Sequence, residues 1–256
     1  MTETGWYVYG VVDGDRVLDD PAGRVHVVSN GRIAAVAASV DLSEFDELPD
    51  RLNDEEWLEA KARDHESVLR AAAAGGPVVP LRFGAVYRRQ EDVVQLLDER
   101  ADELVADLDR VRGHVELGVK GFVARKRLED SLASDRSAAG AATPGRAYLE
   151  RRRAEREVED DASAIVADAA RSAHARLLER AVTGVLNRPH PRELTGRAEE
   201  MFLNAAYLVP AGDRSLHAEV DALTRAYAPL ALSFEVTGPW PPYNFVGESS
   251  REEVAS

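Results

Sequence analysis

With 256 residues, 45% of them apolar and 30% charged, the chain has the composition of a globular protein, large enough for one big domain or two smaller ones. Its formal net charge of −14 argues against nucleic-acid partners, whose binders need basic surface to release counterions. The absence of cysteine excludes disulfides, thiolate metal sites and cysteine nucleophiles together.

The opening stretch MTETGWYVYG has neither the basic nor the long apolar region of a secretory signal. No apolar run approaches the about 20 residues that a bilayer crossing requires, so a soluble, cytoplasmic protein is expected. Trp6 to Val12, aromatic and β-branched, predicts a strand that Asp13-Gly14-Asp15 breaks. Val25 to Val28 and Ile33 to Ala38 flank Ser29-Asn30-Gly31 and predict a hairpin. A helix is expected from Asn53, with Asn53 as cap, Glu56 completing a capping box and Leu52 stapled to Trp57. Leu58, Ala62, His65, Leu69 and Ala72 give it one buried stripe, and Gly75-Gly76-Pro77 ends it. Val78 to Gly84 reads as a short strand. Gln90 to Arg110 reads as one helix with Val93, Leu97, Ala101, Leu104 and Leu108 on its apolar face. Val111 to Ala124 reads as a strand bent at Gly113, Gly118 and Gly121.

Arg127 to Ala142, polar and rich in Ser, Ala and Asp, predicts a loop or a frayed helix. Thr143-Pro144 offers an N-cap with proline at the first helical position, opening a long helix over about 144–182 whose later part carries Val158, Ala162, Ile165, Ala169 and Leu177. Asn187 to Gly196 is a proline-stiffened connection. Glu199 to Val209 is read as a strand, Ser215 to Tyr227 as a helix and Leu230 to Thr237 as a strand. The expected fold class is α+β: an N-terminal ferredoxin-like domain over 1–110, a second α+β domain with long helices over 111–247, and a polar tail over 248–256.

Catalytic patterns are missing. Gly113 to Gly118, followed by Val119-Lys120-Gly121, is out of step with a phosphate-binding loop and lacks its hydroxyl residue. The six histidines have no pairing at helical spacing that would share a metal, and His65 lies on an apolar stripe. A non-catalytic protein without cofactor or metal is expected. The rival is a haem- or small-molecule-binding ferredoxin-like enzyme or regulatory module, with His190 or His217 as candidate ligand.

Two segments stand out. Leu81, Arg82 and Phe83 place an arginine between apolar residues near a strand end, where it either pairs with a buried acid or extends outward. Trp240, Pro241, Pro242, Tyr243 and Phe245 form an aromatic set held by prolines. It reads either as a pinned strap that packs over the sheet or as a preorganised protein-contact surface.

WYVYGVV near the start, VVPLRFGAVY at Val78 to Tyr87 and LSFEVTGPWPPYNFVG at Leu232 to Gly247 together resemble the GvpL/GvpF family of gas vesicle proteins. The last segment, long and of unusual composition, is the most specific. The resemblance implies a two-domain accessory protein of gas vesicle assembly in a prokaryotic cytoplasm, in contact with the hydrophobic shell protein GvpA and other accessory proteins during nucleation or growth. It carries no catalytic residues to transfer.

Overall fold

Tyr7 to Val12 are buried without interruption, which is the signature of a strand covered on both faces. In the computed structural model, which describes residues 3–18, 23–46, 54–137 and 147–247, they form the heart of β1 (Thr4–Asp13). The hairpin expected at Asn30-Gly31 is present. β2 (His26–Ser29) and β3 (Ile33–Asp41) are antiparallel, with Gly31 at φ 90°, a conformation that suits glycine. A short α1 (Ser43–Asp46) follows.

α2 (Glu55–Ala74) buries His65, Leu69 and Ala72 of the expected stripe, while Ala62 is exposed. Its cap is Asp54, whose carboxylate accepts the Trp57 amide, one residue later than expected. Asn53 and Leu52 lie outside the described residues. The strand expected over Val78–Gly84 is shorter, because Pro80 has no N–H to donate and Gly84, at φ 85°, turns the chain. β4 (Val79–Pro80) and, beyond the turn, β5 (Val86–Tyr87) both pair with β1. The single helix expected over Gln90–Arg110 is two, α3 (Gln90–Glu99) and α4 (Ala101–Val111). Arg100 leaves helical geometry at φ −112°, ψ 15°, yet its amide still reaches Leu96 O and its carbonyl accepts the Leu104 amide. The buried face therefore continues from Val93 and Leu97 to Leu104 and Leu108.

β6 (His114–Val123) is continuous; Gly118 and Gly121 lie within it instead of bending it. A side chain at Gly121 would run into the Phe202 ring 2.8 Å away, so glycine serves close packing there. Of the two alternatives for the Arg127–Ala142 stretch, loop or frayed helix, its described part is helix, α5 (Arg125–Ser137), with Leu128 and Leu132 on its apolar side; residues 138–142 lie outside the described residues. Thr143-Pro144 lies outside the described residues. α6 (Ala147–Leu178) stops before Val182, whose amide already bonds to Leu208 O, and β7 (Thr183–Leu186), not expected, begins there. The proline-rich connection contains one helical turn, α7 (Arg192–Thr195). β8 (Glu200–Pro210), α8 (Ser215–Tyr227) and β9 (Leu232–Trp240) complete the order, β9 running past Thr237 through a cis Gly238–Pro239 bond.

The first sheet runs β2-β3-β1-β4 and the second β7-β8-β6-β9. Counting strands within each sheet, both read second-third-first-fourth, the strand order of ferredoxin-like folds. In the first, β1 is antiparallel to both β3 and β4, as that fold requires, but no helix joins β1 to β2 among the described residues. In the second, α5 and α6 fill that connection and α8 the other. Tyr7, Tyr9, Val36, Leu69 and Val78 build one core, and Val123, Leu128, Ala162, Val166, Ala169 and Leu232 another.

By contact, residues up to 116 together with those from 240 form one unit, and residues 117–239 the other. The sequence-based division assigns Trp240–Gly247 to the second domain, whereas its contacts group it with the first unit. β6 passes from one unit to the other at Glu116–Leu117.

Candidate functional site

Of the three segments singled out in the sequence, the first two and the end of the third, from Trp240, belong to the first unit. Tyr7 and Tyr9, both pointing from β1 to the side covered by α2, lie 4.8 Å apart between ring centres with their planes tilted by 56°. The Tyr7 hydroxyl accepts the Gly84 amide at 3.2 Å and lies 2.9 Å from His65 Nδ1. The Tyr7 hydroxyl and His65 Nδ1 thus share a hydrogen bond whose direction depends on the tautomer of the ring. Burial lowers the His65 pKa and pushes that of Tyr7 up to about 12, so both stay uncharged near neutrality. Tyr9 donates to Asp64 at 3.0 Å. Phe83 packs edge-on against Tyr7, His65 and Trp57. These contacts pack the Pro80–Gly84 segment against β1 and α2.

The closing segment is tied down by two buried acids. Asp107 on α4 accepts the Gly247 amide at 2.7 Å and pairs with Arg110, whose guanidinium also reaches Phe245 O. Glu116 on β6 accepts both the backbone and the side-chain amide of Asn244, at 3.0 and 2.6 Å. Burial raises the Glu116 pKa, and the two bonds from Asn244 hold it back. Sequence reasoning missed both residues. A signal existed for Asp107, which shares the helical face of Leu104, Leu108 and Val111 and so stood in line for burial.

Of the aromatic set, Phe245 is buried along with Pro241, Pro242 and Val246, Trp240 is half-buried, and Tyr243 is 40% exposed. Arg82 is exposed and makes no ion pair or hydrogen bond among the described residues, so it extends outward. A cleft of about 520 Å³ brings the two candidate segments together, with Pro80, Leu81 and Arg82 on one side, Tyr243, Val246 and Gly247 on the other, and Tyr87, Arg100 and Glu103 completing the lining. Arg100 is held by Glu103 at 3.0 Å, which leaves Arg82 as the cation lining the cleft with no ion pair among the described residues. The candidate haem ligands belong to the other unit. His190 is exposed in the loop after β7, its amide donating to the Met201 sulfur, and His217 is partly buried on α8. Among the described residues no helix is long and apolar enough to cross a membrane.

A family profile described as gas vesicle synthesis protein GvpL/GvpF matches residues 5–247, a span that holds all three segments. The chain belongs to the GvpL/GvpF family. It is 34% identical to gas vesicle protein L of Streptomyces sp. strain CB03234, over 94% of this chain and 92% of that protein. It is 27% identical to gas vesicle protein F of the same strain, over 94% and 98%. The fold is that of a crystal structure of GvpF from Anabaena sp. PCC7120, with a TM-score of 0.68 at 18% identity over 95% and 96% of the two chains. Membership in this family places the chain's role in gas vesicle assembly.

Proposed function

We propose that this GvpL/GvpF protein is a cytoplasmic, vesicle-associated accessory factor. It binds the hydrophobic shell protein GvpA and other accessory proteins while the vesicle nucleates or grows. The contact surface is the first-unit cleft between Pro80–Arg82 and Tyr243–Gly247. The observation that carries this reading is the convergence of both candidate segments on that cleft, where Arg82 and Tyr243 stand exposed while their neighbours Phe83 and Phe245 do the packing. An exposed tyrosine and arginine beside apolar residues make the kind of anchor pair that dominates protein interfaces. A chain of net charge −14 remains dispersed while it holds an aggregation-prone shell subunit. The higher identity to the L-named than to the F-named Streptomyces protein supports an L-type role.

The test is capture of purified shell protein by the wild-type chain and by Arg82→Ala, Tyr243→Ala and Trp240→Ala. Both Arg82 and Tyr243 are exposed, so their variants are expected to melt like wild type and yet lose roughly tenfold or more in affinity, the scale of a truncated interface anchor. Wild type that captures nothing would sink the partner. Unchanged binding by both exposed-residue variants would sink the cleft as the contact surface.

A further inference from the structure

The second sheet ends on β7, which pairs with β8 on one side and with no strand on the other among the described residues. Exposed strand edges invite a further strand, and proteins blunt them with proline, charge or a cover. Such devices are visible elsewhere: Pro80 in β4, Pro239 and the Arg197-paired Glu235 in β9, and, beside β2, the Asn30 bond to Asp98 on α3. β7, reading Thr-Gly-Val-Leu, has none of them. Its apolar side chains also face outward. Leu186 is 53% exposed, Val182 just before the strand is 60% exposed, and Leu194 in the following helical turn α7 is 75% exposed.

The chain then runs directly into a cleft of about 600 Å³ lined by Arg188, His190 and Arg192, with Glu200 and Met201 on its far side. Arg188 is exposed and has no ion pair among the described residues, and Arg192 approaches Glu200 only to 3.9 Å. In a molecule of net charge −14, an edge strand that leads into two under-neutralised arginines is a local reversal of sign. The three features name three chemistries: extended backbone for the open edge, apolar side chains for Val182 and Leu186, and a carboxylate for the arginines. A second copy of this chain fits poorly. Its own β7 edge and flanking residues, 180–188, contain no acidic residue to offer these arginines.

We propose that β7 takes up an extended segment of a different protein by strand addition, with alternating apolar residues along the edge and an acidic residue seated between Arg188 and Arg192. This surface is independent of the first-unit cleft, and either can fail without the other.

Fluorescence anisotropy on the full chain tests it with three labelled synthetic peptides. One alternates valine and threonine and ends in two aspartates, one ends in two lysines instead, and one carries the aspartates but a central proline. The aspartate peptide is expected to bind roughly tenfold more tightly than the other two. Its binding should also slow amide hydrogen exchange in β7. Arg188→Glu with Arg192→Glu, and separately Leu186→Lys, should each weaken it by roughly tenfold without moving the melting temperature. Equal binding of the three peptides, indifference to these surface substitutions, or protection appearing away from β7 would overturn the proposal. So would concentration-dependent self-association abolished by Leu186→Lys, which would give the edge to a second copy.

Discussion

His65 shows how one buried side chain sets a pH limit on the first unit. Its ordinary pKa is about 6.5, and burial in the folded protein lowers it, although Asp64 opposes the shift. As pH falls, the unfolded chain takes the proton first, so stability declines from about pH 6.5 toward the depressed folded value, at up to about 1.4 kcal/mol per pH unit. Glu116 works in the opposite sense: its raised folded pKa favours the folded state as pH falls through that value. His65→Gln removes only the first effect. It is expected to be less stable than wild type at about pH 7.5 but to lose less on going to about pH 5.5, as read from urea unfolding midpoints. Parallel losses in the two proteins would show that His65 is not the titrating group. The apolar stripe Leu58, Ala62, His65, Leu69, Ala72 was enough to put this histidine inside. The acids Asp107 and Glu116 were harder to read, because their partners lie 140 and 128 residues away and an acid without a visible partner reads as solvated.

Elements were legible where a period repeats often enough to be counted. The long helix stripe through Val158, Ala162, Ala169 and Leu177 is buried as expected, and the helix Ser215–Tyr227 has the bounds read from the sequence. β7 escaped because four residues with a glycine among them show no period, and the helical composition before it ran on to Val182. The break at Arg100 escaped for a related reason: the apolar face crosses it without losing phase. Close approach is the other thing that composition hides. At Gly10, between β3 and β4, a side chain would meet Val79 O at 2.7 Å and the Leu69 side chain at 2.8 Å. Backbone cannot yield there as a flexible side chain would. Gly10→Val is therefore expected to destabilise the protein by about 3 kcal/mol or more, measured by urea unfolding. A loss under about 1 kcal/mol would mean that β4 moves away at little cost.

On the scale of the whole chain, the first unit is assembled from both ends of the described sequence. Its closing segment buries Pro241, Pro242, Phe245 and Val246, and its amides satisfy the carboxylates of Asp107 and Glu116. At about 1.5–3 kcal/mol for each large apolar side chain, this one segment supplies a sum comparable to a typical domain's entire margin of stability. Deleting residues 240–256 is expected to abolish protection of the β1 amides against hydrogen exchange while the β8 amides keep theirs. Retained protection in β1 would show that the first unit stands without its strap. The same arrangement governs the order of events during synthesis. A ribosome delivers all of residues 117–239 before it delivers the last piece of the first unit, so the earlier-made portion waits, unfinished, for the later one to be completed. Until Gly247 clears the exit tunnel, Asp107 and Glu116 lack the amides that they hold in the finished protein. The region proposed to hold the shell subunit is thus completed only once residues 240–247 have been made, later than the whole of the second unit.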